Sequence, residues 1–125
     1  EFTVDYAHRL ILNYTSKCTN LHGHTGKVAF TIDVEGNFTS DNDMLIDFTH
    51  LAPFVEQVKQ MLDHTVVFNV RDKLKYLPVH SKIIMPTNPT AEEFAKMIYA
   101  LLVSYLTKNH AQLLETYPTT IKIDF

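Results

Sequence analysis

Residues 25 to 35, TGKVAFTIDVE, place Val28, Phe30, Ile32 and Val34 at every second position, the pattern of a strand with one buried and one solvated face. Such a strand calls for a sheet covered on one side only, which is usually antiparallel. Residues 2 to 10, FTVDYAHRL, mix β-branched and aromatic residues and supply a partner strand. The polar connection NYTSKCTN separates the two, and Gly36-Asn37 ends the second.

The cover is legible as helical spacing. After SDNDMLIDF, which reads as a turn and a short apolar segment, residues 49 to 62 set Leu51, Phe54, Val55, Val58, Met61 and Leu62 on one stripe. Thr49 is the expected N-cap, with Pro53 in the first turn. Residues 65 to 85 hold charged turn residues and a short extended run, KIIM, and are expected to be irregular. A second helix opens at Thr90, where NPTAEE puts a capping hydroxyl before two carboxylates and Glu93 at the capping-box position. Its stripe is Phe94, Met97, Ile98, Leu101, Leu102 and Tyr105, and it stops near Asn109. AQLLET fits the end of that helix or a strand, and TTIKIDF alternates as a strand. The order strand, strand, helix, helix, strand predicts one α+β domain over residues 1–125, with two helices on one face of an antiparallel sheet.

Chemistry concentrates around histidine. His22 and His24 flank Gly23 in LHGH and project from one face if the segment is extended, and His8 lies on the strand expected beside it. Three imidazoles leave one position of a tetrahedral zinc open, as a catalytic site requires; a structural site would close it, usually with thiolate, and the sequence has a single cysteine, Cys18. H-x-H alone is weak evidence, since alternate strand residues are often simply exposed. Context strengthens it: Cys18 precedes His22 by four residues, Asp63 and His64 adjoin after a helix, and Thr90 with Glu92 opens the next. A nearby zinc favours ionised thiol, making Cys18 a candidate base, while Asp63 could fix the tautomer of His64 for proton relay. The plainer readings are a buried, inert Cys18 and an Asp63-His64 pair that merely ends a helix. His50, His80 and His110 have no partner pattern.

The formal charge of -3 argues against a nucleic-acid partner, though a local cationic pocket stays open, and Lys17, Lys27, Lys73 and Lys75 read as solvated. One cysteine makes no internal disulfide, and no apolar run nears the roughly 20 residues of a membrane span. No signal peptide is visible, and the start at Glu1 leaves a preceding segment open; a cytoplasmic protein without a membrane partner is expected.

The runs CTNLHGH, AHRL with His8, LIDF at 45–48, LDH at 62–64 and PTAEE from Pro89 together resemble the 6-pyruvoyl tetrahydropterin synthase and 6-carboxytetrahydropterin synthase family. The resemblance implies a tunnelling fold: a four-stranded antiparallel sheet with two helices on one face, whose subunits assemble into a barrel, usually a homo-hexamer with active sites at subunit boundaries. It implies zinc on His8, His22 and His24, a base at Cys18, a relay at Asp63 and His64, and a pterin triphosphate, 7,8-dihydroneopterin triphosphate, as substrate. Thr90, Glu92 and Glu115 are the implied substrate-binding residues. Glu115-Thr116 keeps the family's glutamate–threonine dipeptide, while TIKIDF looks more like the strand that normally carries it, which would move the pterin anchor to Asp124 or Phe125. Arg9, Lys17 and Lys27 are candidates for the phosphates by proximity. The product is 6-carboxytetrahydropterin with loss of acetaldehyde, favoured by the short length of the protein, or 6-pyruvoyltetrahydropterin. A zinc hydrolase in which Cys18 is incidental, and a pterin-binding module without turnover, are the competing readings.

Overall fold

The computed structural model describes residues 1–37 and 41–125, so Ser40, the first residue of the expected turn, lies outside the described residues. β1 (Phe2–His8) pairs antiparallel with β2 (His22–Val34), and β2 pairs in turn with the last strand, β5 (Thr119–Asp124). Two further strands follow β1 on its other side, β3 (Thr65–Asn69) and β4 (Lys82–Met85), both running parallel to it. The α+β class is as expected, but the sheet has five strands in the order β4-β3-β1-β2-β5 and is mixed rather than antiparallel. β3 carries no alternation in the sequence because TVVFN is covered on both faces, with Thr65, Val67, Phe68 and Asn69 all buried.

In the β1–β2 register, Phe2, Val4, Tyr6 and His8 share a face with Val28, Gly26, His24 and His22. α1 (Ala52–Leu62) and α2 (Ala91–Asn109) cover that face. Phe54 and Phe94 are fully buried, with their rings 5.3 Å from Phe30 and 4.9 Å from Tyr6. Each such aromatic stabilises the fold by about 1.5–3 kcal/mol relative to exposure. Val58, Leu62, Ile98, Leu102 and Leu106 complete the buried stripes.

Helix ends follow local hydrogen bonding. Thr90 caps α2, its hydroxyl accepting from Glu93 N–H at 3.3 Å, and α2 ends at Asn109 as expected. Thr49 does not cap α1. Asp47 takes both the Thr49 N–H and its hydroxyl, at 2.8 and 2.7 Å, folding residues 48–50 into a 3-10 turn from which α1 starts at Ala52 with no side chain capping it. AQLLET resolves as a short helix, α3 (Ala111–Thr116).

Candidate metal centre

His8 ends β1 and lies opposite His22 at the start of β2; His24, two residues on, shares their face. The three rings meet edge to face with centroids 4.7, 4.9 and 5.0 Å apart, and one nitrogen from each lies within 4.8 Å of the others. Tyr6 and Phe94 form the apolar floor, with Phe94 6.3 Å from His8 and Tyr6 5.7 Å from His24.

Two rings are oriented by backbone carbonyls. His8 Nδ1 donates to the Pro89 carbonyl at 2.5 Å, and His22 Nδ1 to the Asn20 carbonyl at 2.6 Å, since a carbonyl only accepts. Both therefore keep Nε2 bare, and His22 Nε2 is buried without a hydrogen-bond partner. Burial pushes His8 below the ordinary histidine value; the Pro89 carbonyl opposes this and the neighbouring imidazoles add to it, so the ring sits neutral, as a ligand must. A buried acceptor facing two other imidazoles is what a divalent ion would satisfy, and nitrogen donors of this kind suit zinc among others. The three histidines could hold a metal ion.

The remaining expected residues are distributed differently. Cys18 is half-buried in a 3-10 turn, Lys17–Thr19, pinned to the segment after His8 by the Leu10 N–H on its carbonyl at 2.9 Å; it lies outside the three-histidine cluster. Asp63 and His64 sit beside Asp5, whose N–H bonds Asp63 Oδ1 at 2.7 Å and whose carbonyl accepts His64 N–H at 2.6 Å. His64 Nδ1 is 3.1 Å from Asp63 Oδ2, and its side chain is 81% exposed. Asp5 precedes His8 by three residues, about 10 Å of strand, so within one subunit this pair is not brought to the histidines. The Asp5 N–H holds the Asp63 carboxylate below its usual range, partial burial opposing and His64 assisting. His64 also takes the left-handed backbone, φ 56°, that turns the polypeptide out of α1, so the pair ends the helix as well.

Thr90 caps α2 directly beyond Pro89, and Glu92 lies exposed in its first turn, held below the ordinary glutamate range by its own N–H and the Thr90 hydroxyl. Glu115 is exposed on α3, past the far end of α2, whose 19 residues span about 28 Å. β5 instead returns to the centre, putting the Phe125 ring 5.1 Å from Phe94 and 5.8 Å from Tyr6. Phe125 is thus packed against the floor beneath the histidines, whereas Asp124 pairs with Ala29 on the other face of the sheet and bonds Lys122 at 3.0 Å. Arg9 is engaged within the fold: its guanidinium grips the fully buried Asp72 carboxylate through Nε at 2.7 Å and Nη2 at 2.5 Å. Lys27 lies on the opposite face of the sheet, 3.8 Å from Glu1, and Lys17 is exposed. No sequence signal announced the Pro89 and Asn20 carbonyls; Asn88-Pro89 marks only a turn.

The 6-pyruvoyl tetrahydropterin synthase family model matches residues 1–118. A 6-carboxy-5,6,7,8-tetrahydropterin synthase of Haemophilus influenzae is 31% identical over 110 residues, covering 79% of this chain and 76% of that protein. A Pyrococcus horikoshii protein provisionally given the same name is 35% identical over 103 residues, 74% of this chain and 64% of its own length. The chain thus spans less than two thirds of its archaeal relatives. The 6-pyruvoyl tetrahydropterin synthase of Plasmodium falciparum shares the fold, with a TM-score of 0.67 at 19% identity over 98% of this chain and 91% of that one.

Proposed function

The chain belongs to the 6-pyruvoyl tetrahydropterin synthase family, and from that premise we propose that residues 1–125 form a pterin-synthase domain. We read it as a zinc-dependent lyase that converts 7,8-dihydroneopterin triphosphate to 6-carboxy-5,6,7,8-tetrahydropterin, losing triphosphate and acetaldehyde. The observation that carries this reading is the buried, unpartnered His22 Nε2 facing His8 and His24. The carboxy product is favoured by the names of the relatives.

His8, His22 and His24 would hold the ion, which when bound supplies Lewis-acid polarisation of the hydroxyl oxygens on the substrate's side arm. Cys18 is the proposed base that removes a carbon-bound proton from that arm. The floor of Tyr6 and Phe94 keeps water from the inner side of the site. Asp63 holds His64 at Nδ1, leaving Nε2 to pass a proton. Because that pair faces solvent some 10 Å along β1 from His8, its role requires delivery from a second copy, in keeping with a homo-hexamer whose sites lie between subunits. Thr90 and Glu92, at the start of α2, are proposed to meet the pterin.

A second reading, a pterin-binding member without turnover, is favoured by one observation: Phe125, not a carboxylate, lies beside the floor, while Glu115 is remote. Zinc-loaded protein incubated with dihydroneopterin triphosphate separates the readings. Triphosphate plus acetaldehyde is expected; triphosphate alone indicates the pyruvoyl product, and neither, with pterin bound, the module. Cys18→Ala and His64→Ala should each lose about a hundredfold in rate, and full activity in both would remove this mechanism.

A further inference from the structure

The carbonyl that orients His8 belongs to Pro89, which follows Asn88 in the connection from β4 to α2. The Asn88 side chain ties this connection to the segment that leaves His8 in the other direction. Its Oδ1 accepts from Ile11 N–H at 3.1 Å and Leu12 N–H at 3.4 Å, and its Nδ2 donates to the Leu12 carbonyl at 3.1 Å. The fully buried Asn69 adds a contact from its Nδ2 to Asn88 Oδ1 at 3.4 Å, tying in the end of β3. The Asn88 carbonyl also accepts from Thr90 N–H at 2.9 Å, closing a tight turn around Pro89. One amide thus ties the backbone that follows His8 in sequence to the turn that carries the ring's carbonyl partner.

We infer that Asn88 is a positioning residue: it holds the Pro89 carbonyl against His8 Nδ1, so that His8 is preset with its proton on Nδ1 and Nε2 bare toward His22 and His24. The inference rests on the metal-centre reading for its consequence but not for its geometry. A carbonyl free to move by an ångström would no longer select between the two neutral tautomers of a buried imidazole. The tautomer with the proton on Nε2 cannot ligate through the atom that faces the cluster.

The test uses the full chain and needs no turnover. Long-range 1H–15N correlation spectra of metal-free protein report the His8 tautomer directly, and competition with a chromophoric chelator reports zinc affinity. Wild type is expected to hold a single Nδ1–H tautomer. Asn88→Ala should give a mixture and weaken zinc about tenfold, the lower end of the range for groups that orient ligands. If Asn88→Ala does not fold, Asn88→Asp, which keeps the acceptor but loses the donor to Leu12, is read the same way, with a smaller loss of about threefold. An unchanged tautomer, or zinc affinity within twofold of wild type alongside a mixed tautomer, overturns the inference. Failure of the metal-centre reading looks different: His8→Ala would then bind zinc as well as wild type, while the tautomer measurement would still judge Asn88.

Discussion

Arg9 and Asp72 form a pair in which the two partners are unequally exposed, and that inequality predicts asymmetric mutants. The Asp72 carboxylate is fully buried and takes two bonds from Arg9 and one from Leu74 N–H at 2.8 Å, whereas 25% of the Arg9 side chain is exposed. Arg9→Met keeps the aliphatic stem but strands a buried charge, a change that typically costs about 3–5 kcal/mol. Since one bond to Asp72 survives, about 3 kcal/mol is expected. Asp72→Asn leaves a guanidinium that can rehydrate and retains an acceptor for Leu74, so about 1–2 kcal/mol is expected. Urea unfolding at constant m-value measures both. The pH dependence has a fixed sign. The Arg9 guanidinium depresses the Asp72 carboxyl, against burial, with Leu74 N–H assisting, so its stabilisation is complete above the ordinary value of about 3.9 and is lost as pH falls through the lower folded value. The penalty of Arg9→Met should therefore shrink below about pH 4, where Asp72 of the unfolded state takes up a proton before that of the folded wild type. A loss under 0.5 kcal/mol with a collapse in triphosphate-substrate affinity would refute the assignment and return Arg9 to the substrate.

Zinc at 100 times its dissociation constant should raise stability by about 2.7 kcal/mol, seen as a chelator-reversible shift in Tm. The shift should vanish in His8→Ala, His22→Ala and His24→Ala, and its absence in wild type would count against the centre. Gly26→Val should destabilise by about 1–3 kcal/mol, because a Cβ there would lie 2.8 Å from the Phe125 ring and 3.1 Å from that of Tyr6. Adding Phe125→Ala should recover part of that loss, and strict additivity in the double-mutant cycle would contradict the contact. Thr90→Ala should cost about 0.5–1 kcal/mol in thermal unfolding, near the low end given the 3.3 Å bond, with Thr90→Ser close to wild type.

What the sequence disclosed and what it hid divide along physical lines. Period-two and period-3.6 patterns survive wherever an element has one wet face, which is why β2, α1 and α2 are legible from Phe30, Phe54 and Phe94 outward. β3 has no wet face, and its pairing with β1 depends on contacts some 60 positions apart, such as Tyr6 with Thr65. The helical character of Glu115 is ambiguous in sequence because AQLLET suits a helix or a strand, and only the packing against α2 decides it. The histidines are readable because their spacing matches the strand repeat, 8 opposite 22. Their orienting carbonyls are not, since a backbone oxygen carries no residue-type signature. The same applies to Arg9, whose acceptor lies 63 residues away.

The separation of 81 residues between His8 and the carbonyl of Pro89 bears on biosynthesis. All three imidazoles are translated before the oxygen that orients the first of them, which follows β1 to β4 in the sequence. A nascent β1–β2 hairpin therefore lacks the acceptor that fixes the His8 proton, and both neutral tautomers stay open to it. Docking of α2 with the turn before it brings the oxygen into place, so the orientation of His8 is completed late in folding.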